Sequence, residues 1–176
     1  GDERAFSSIK QVLDFNPLFL RADAFLAVII VSDEDDFSGN TSNFIAGDYN
    51  NESNSDPVDL TNTGSNTDLF HLYSDTRLDS VDSYKSYLTS LKGAGQFSVS
   101  MIGVLDNACK TQLNTSFGGR RIGRRYMQLA QSTNGAQTSL CGNFGTSLQL
   151  ISDSIIELSS SFILRREPIP ESISVS

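Results

Sequence analysis

The residues best suited to chemistry stand together. Ser32-Asp33-Glu34-Asp35-Asp36 follows directly on an uninterrupted apolar run, Phe25-Leu-Ala-Val-Ile-Ile-Val31, and leads into Phe37 and Ser38. A hydroxyl and four carboxylates are hard oxygen donors of the kind that Mg2+ and Ca2+ take. Neighbouring carboxylates repel one another, and an opposite charge close by offsets the cost. The cluster therefore predicts a divalent cation, Mg2+ or else Ca2+ or Mn2+. The plainer alternative is a polar turn whose acids face water.

Three further features bear on chemistry. Cys109 and Cys141 are the only cysteines, and each follows a stretch that reads as a strand. Loops leaving neighbouring parallel strands can come within disulfide reach; two buried free thiols are the other reading. Without a Cys-x-x-Cys, zinc and thioredoxin-type chemistry have no framework. Phe117-Gly-Gly-Arg-Arg-Ile-Gly-Arg-Arg125 places Arg120 and Arg121 near a predicted helix start. Such guanidinium groups can grip a carboxylate or phosphate, or they can pair with the acidic segment. No Gly-Lys-Ser/Thr follows the glycines, so this is not a phosphate-binding P-loop. His71 is the single His and has no Ser-His-Asp set around it.

The elements that position these residues follow from periodicity. Phe6, Ile9 and Leu13 share one face of a helix that Asn16-Pro17 ends. Phe25–Val31, short and partly β-branched, reads as a strand buried on both faces, as in a parallel sheet covered by helices. Val81, Tyr84, Leu88 and Leu91 mark a second helix closed by Gly93, and Phe97–Val104 a second strand. A helix near residues 122–132 ends at Asn134-Gly135, and a short strand lies around Gln137–Leu140. Leu148, Ile151, Ile155, Leu158 and Phe162 mark the last helix, with Asn143 as its cap. Pro168 and Pro170 then open a tail over 166–176, or the start of a following β segment. This alternation predicts an α/β fold with a mostly parallel sheet. Sites in such sheets form beyond the carboxyl ends of the strands, here residues 32–40, 105–121 and 141–143.

Charge and apolar content exclude other classes. The net charge is −8, and twelve of the 21 acidic residues fall within residues 32–82, which hold one basic residue, Arg77. That segment would repel phosphates, so nucleic acid is not an expected partner. Its core, about residues 33–75, reads as an acidic loop insertion. No apolar run approaches the length of a membrane-spanning helix.

The stretch Leu20-Arg-Ala-Asp-Ala-Phe-Leu-Ala-Val-Ile-Ile-Val-Ser-Asp-Glu-Asp-Asp36 resembles the central strand and third metal loop of von Willebrand factor type A (vWA) domains of the secreted bacterial branch. Arg125-Tyr126-Met-Gln-Leu-Ala130, Ser139-Leu-Cys-Gly-Asn-Phe144 and Ser161-Phe-Ile-Leu164 with Pro168 are similar to that branch too. The resemblance implies a Rossmann-like vWA fold over residues 1–165, with helices on both faces of the sheet. It implies that the chain is the C-terminal portion of such a domain, without its first strands. The family's metal-ion-dependent adhesion site joins an Asp-x-Ser-x-Ser loop, a Thr loop and an Asp loop. Asp33 takes the Asp position with Ser32 before it, and Asp35 is the next carboxylate in reach. Asp36, Ser38, Arg120 and Arg121 are the residues expected near a bound partner. No Asp-x-Ser-x-Ser occurs in the chain. Cysteines at matching positions in that branch imply the Cys109–Cys141 bridge, and with it an oxidising compartment.

The function that the resemblance implies is non-enzymatic: metal-dependent adhesion or ligand binding by a secreted, periplasmic or cell-surface bacterial protein. Its partner would be a protein or surface ligand offering a carboxylate to the cation. The alternative is a phosphotransferase. Strand-Asp33-Glu-Asp35 resembles the Asp-x-Asp of haloacid-dehalogenase-type enzymes, with the first Asp as nucleophile and the second as acid/base.

Overall fold

The computed structural model describes residues 3–39, 78–115 and 120–160. Most of the acidic insertion, residues 40–77, lies outside them, as do His71, Phe162 and the tail over 166–176. The chain enters as helix α1 (Ala5–Phe15), makes a short 3-10 turn at Pro17–Phe19 and runs into strand β1 (Leu26–Ser32). After the insertion come α2 (Val81–Lys92), β2 (Phe97–Gly103), α3 (Asn107–Asn114), α4 (Arg124–Ser132), β3 (Gln137–Ser139) and α5 (Phe144–Ser160). Among the described residues the three strands form one sheet in the order β1-β2-β3. Both pairings are parallel: Leu26 lies opposite Phe97 and Ser32 opposite Gly103, while Met101–Gly103 face Gln137–Ser139. The result is an α/β layout compatible with a Rossmann-like fold.

Local chemistry sets the element ends. The Ser80 hydroxyl accepts the amide of Ser83 to start α2, and Gly93, at φ 86°, closes it. Asp106 accepts the amide of Cys109 at 2.8 Å to start α3. Asn143 accepts the amide of Thr146 at 3.0 Å at the head of α5. Between α4 and β3, Asn134 turns the chain at φ 57°. Gly135 follows so close to β2 that a Cβ on it would lie 1.9 Å from the Val99 carbonyl oxygen.

The main core sits on one face of the sheet. Phe6 and Leu13 of α1, Tyr84 and Leu88 of α2, and Tyr126 and Leu129 of α4 close over Leu26, Ile30, Val99 and Met101. Phe6 makes a T-shaped contact with the Tyr126 ring at 5.4 Å. β2 is buried along its whole length, as a central parallel strand should be. β1 departs from the expectation of burial on both faces. Leu26 and Ile30 are buried, but Ile29 and Val31 are 45% and 57% exposed. The reason is position: β1 is the edge of the described sheet, and α5 only partly covers its second face, where Ile29 borders a groove with Leu148, Ile151 and Ile155. α3 is an addition to the expected order. Among the described residues no helix is long and apolar enough to cross a membrane.

Candidate functional site

The carboxyl end of β1 delivers the acidic motif to the place where two helices begin. Neither α1 nor α4 caps its own amino terminus with a side chain: Arg4 and Gly123 hold the cap positions and make no such bond. Unsatisfied amides at a helix start need acceptors, and the motif provides them from afar. Asp36 Oδ1 accepts the Phe6 amide at 3.0 Å, and the Ser38 hydroxyl accepts the Ser7 amide at 2.9 Å. Asp35 Oδ1 accepts the Arg125 amide at 3.0 Å and the amide of Asp36 at 2.9 Å. Asp35 thus serves α4, and Asp36 and Ser38 serve α1.

These inner residues are sealed. Asp35, Asp36 and Ser38 have no exposed surface, and Phe37 has almost none. Asp36 also accepts the Ser38 amide and hydroxyl, both at 2.9 Å, and faces the Arg125 guanidinium at 3.3 Å. Arg125 is itself buried and donates to the Asp79 carbonyl at 2.8 Å. Burial pushes the Asp35 carboxyl up to about 7, and it pushes Asp36 upward as well, against the pull of Arg125 and the amide donors. Glu34 is raised by the same cause. Asp35 Oδ2 has no hydrogen-bond partner among the described residues.

Asp33 points the other way. Its side chain is 36% exposed and pairs with Arg120 Nε at 2.9 Å, with the Arg120 side chain 24% exposed. The Asp33 carbonyl accepts the Arg121 amide at 3.1 Å, and Asn114 Oδ1 accepts the Arg120 amide at 3.0 Å. Arg121 lies over the Phe37 ring, 5.0 Å from its centre. The Ser32 hydroxyl turns back on the main chain of Glu34, accepting its amide at 3.2 Å. Cys109 of α3 and Cys141 after β3 are joined by a disulfide with their Cα atoms 5.5 Å apart. The bridge ties the segments that leave β2 and β3 at this same edge.

Of the residues the sequence singled out, Ser32, Asp33, Arg120 and Arg121 meet at the sheet edge. Asp36 and Ser38, expected to touch a partner, instead face the interior, because the amides of α1 claim their oxygens. Asp35 likewise turns inward to α4, away from the edge where a shared cation would sit. Among the described residues no group of three or more His, Cys, Asp or Glu could hold a metal ion. Asp33 is engaged by a guanidinium and Ser32 by its own loop, so the residues present do not fit a divalent cation by themselves. Sequence reasoning missed Arg125 as the counter-charge inside the motif and Asn114 as the anchor of Arg120. The one signal for Arg125 was electrostatic: adjacent acids carried into the interior require a positive charge from somewhere in the chain.

No protein-family model, no curated protein and no solved structure matches this chain. The fold and the edge therefore carry the functional argument.

Proposed function

We propose that this chain is a non-enzymatic ligand-binding domain of a secreted or surface-located bacterial protein, and that it meets its partner at the edge formed by Ser32, Asp33, Arg120 and Arg121. One observation carries the reading. Asp33, its side chain 36% exposed, pairs with Arg120 at the accessible carboxyl end of the sheet, and its carbonyl accepts the amide of Arg121. The partner feature this edge suits is a carboxylate, which the planar fork of a guanidinium can take with two parallel hydrogen bonds. The resemblance to secreted vWA domains and the disulfide support an extracytoplasmic setting.

The phosphotransferase alternative finds less support. An acid/base partner must reach the reacting oxygen, and Asp35 has no exposed surface and holds the start of α4. Two assays decide between the readings. Binding to an immobilised peptide rich in Glu and Asp, compared with its amidated counterpart, should weaken when Arg120 or Arg121 is replaced by Gln. Incubation with an aryl phosphate and Mg2+ should release no phosphate. Turnover abolished by Asp33→Asn would establish the enzyme instead.

A further inference from the structure

We propose that Arg120 occupies the role of a divalent cation at Asp33, so that the binding edge is assembled without metal. The inference rests on the reading of this edge as the functional one. Crowded carboxylates need positive charge, and the chain carries that charge on the segment that leads into α4. Arg125 faces Asp36 at 3.3 Å, inside the fold. Arg120 faces Asp33 at 2.9 Å, at the surface. Arg121, between them, packs on Phe37 and lies close enough to Glu34 to favour its charged form. Three guanidinium groups thus answer the acids of the motif, Arg125 acting on Asp35 as well as on Asp36.

The Arg120–Asp33 pair is also held in register by main-chain bonds. The amide of Arg120 is anchored on Asn114 and the amide of Arg121 on the Asp33 carbonyl. Asn114 ends α3, and the disulfide at Cys109 fixes α3 to the segment after β3. The main chain that carries Arg120 is thus fixed on both sides, which places the root of its side chain beside Asp33. A cation approaching Asp33 must displace a resident group, and the described residues offer it no group of three or more His, Cys, Asp or Glu.

The test is thermal unfolding in EDTA and in millimolar Mg2+, Ca2+ or Mn2+, with the wild type, Arg120→Gln, and Arg120→Gln combined with Asp33→Asn. A ligand that binds only the folded state raises the midpoint. The wild-type midpoint should be the same in all four conditions. Arg120→Gln should lower it in EDTA by about 2–4 °C, in keeping with the loss of a partly exposed pair in a domain of this size. Divalent cations should recover part of that loss in the single variant and none in the double. Arg120→Lys keeps the charge and should remain indifferent to cations. A wild-type midpoint that rises with cations and needs Asp33 would overturn the proposal. So would an Arg120→Gln protein that matches the wild type in both midpoint and cation response. None of these measurements uses a partner, so failure of the acidic-peptide assay and failure of the Arg120–Asp33 assignment are told apart.

Discussion

Replacing Asp36 with Ala should be among the most damaging single changes in the chain. The carboxylate accepts the Phe6 amide, the Ser38 amide and the Ser38 hydroxyl, and it faces Arg125, with both charged groups almost wholly buried. Removing one partner of a buried pair costs about 3–5 kcal/mol, because the other charge is left without its counter-ion. Loss of the cap on α1 is worth about 1 kcal/mol by itself. The two losses share one side chain and do not simply add. A net cost of about 4 kcal/mol would consume much of the 5–15 kcal/mol typical of a folded domain. Asp36→Asn, which keeps an oxygen for the Phe6 amide, should cost less. Pairing Asp36→Ala with Arg125→Met should recover part of the loss, because no lone charge then remains inside. Urea unfolding followed by far-ultraviolet circular dichroism measures the wild type, these variants and the Arg125→Met single, with the slope checked for constancy. If Asp36→Ala costs less than about 1 kcal/mol, or the double variant costs the sum of its singles, the capping account fails. A residue placed to contact a ligand would behave oppositely, its loss leaving stability unchanged or improved.

Three other outcomes follow from the same geometry. Asp35 titrates near 7 when folded against an ordinary value of 3.8, so between those values the folded state holds a proton that the unfolded chain has lost. Its contribution to stability is complete below about pH 4 and declines as pH rises toward 7, by at most about 1.4 kcal/mol per pH unit; Asp35→Asn should flatten this part of the curve and stabilise the protein at pH 8, as unfolding midpoints across pH will show. Cys109 and Cys141 are 32 residues apart in sequence, and opening the bridge with Cys109→Ser and Cys141→Ser should cost roughly 3–4 kcal/mol in the chain-entropy model, read by urea unfolding. Gly135→Ala brings a methyl group to 1.9 Å from the Val99 carbonyl, and should cost at least the 1–3 kcal/mol typical of overpacking and lower the thermal midpoint by several degrees.

The elements with a clear apolar period were legible in the sequence. Tyr84 and Leu88 of α2, Ile151 of α5 and the continuous run of β2 all fall in the core, and the Asn143 cap stands where its residue type suggested. α3 was not legible, because Asn107–Asn114 has no apolar stripe and buries only Cys109; its cap at Asp106 and the disulfide hold it. The exposed half of β1 was hidden for a related reason. An apolar run reads the same whether a strand is central or at an edge, and neighbours decide which it is. The acidic motif was found by its residue types, but not the direction of its side chains. Its main partners are the amides of Phe6, Ser7 and Arg125, and a backbone amide has no sequence signature. The charge argument was sound in requiring a positive partner; it did not distinguish a metal ion from an arginine.

The bridge between Gly39 and Leu78 has a consequence for how this chain can change. The two residues pair as an antiparallel bridge, and the Asp79 amide donates to the Ser38 carbonyl at 3.1 Å. The exit from the fold after Ser38 and the re-entry before Asp79 are thus a single doorway. The closure entropy of a segment joining these two points grows only slowly with its length. A change of length between Gly39 and Leu78 therefore costs little by itself, provided that the bridge still closes. Grafting a short turn or a whole foreign module between Gly39 and Leu78 makes that doorway a socket, at the far end of the loop that bears Asp33.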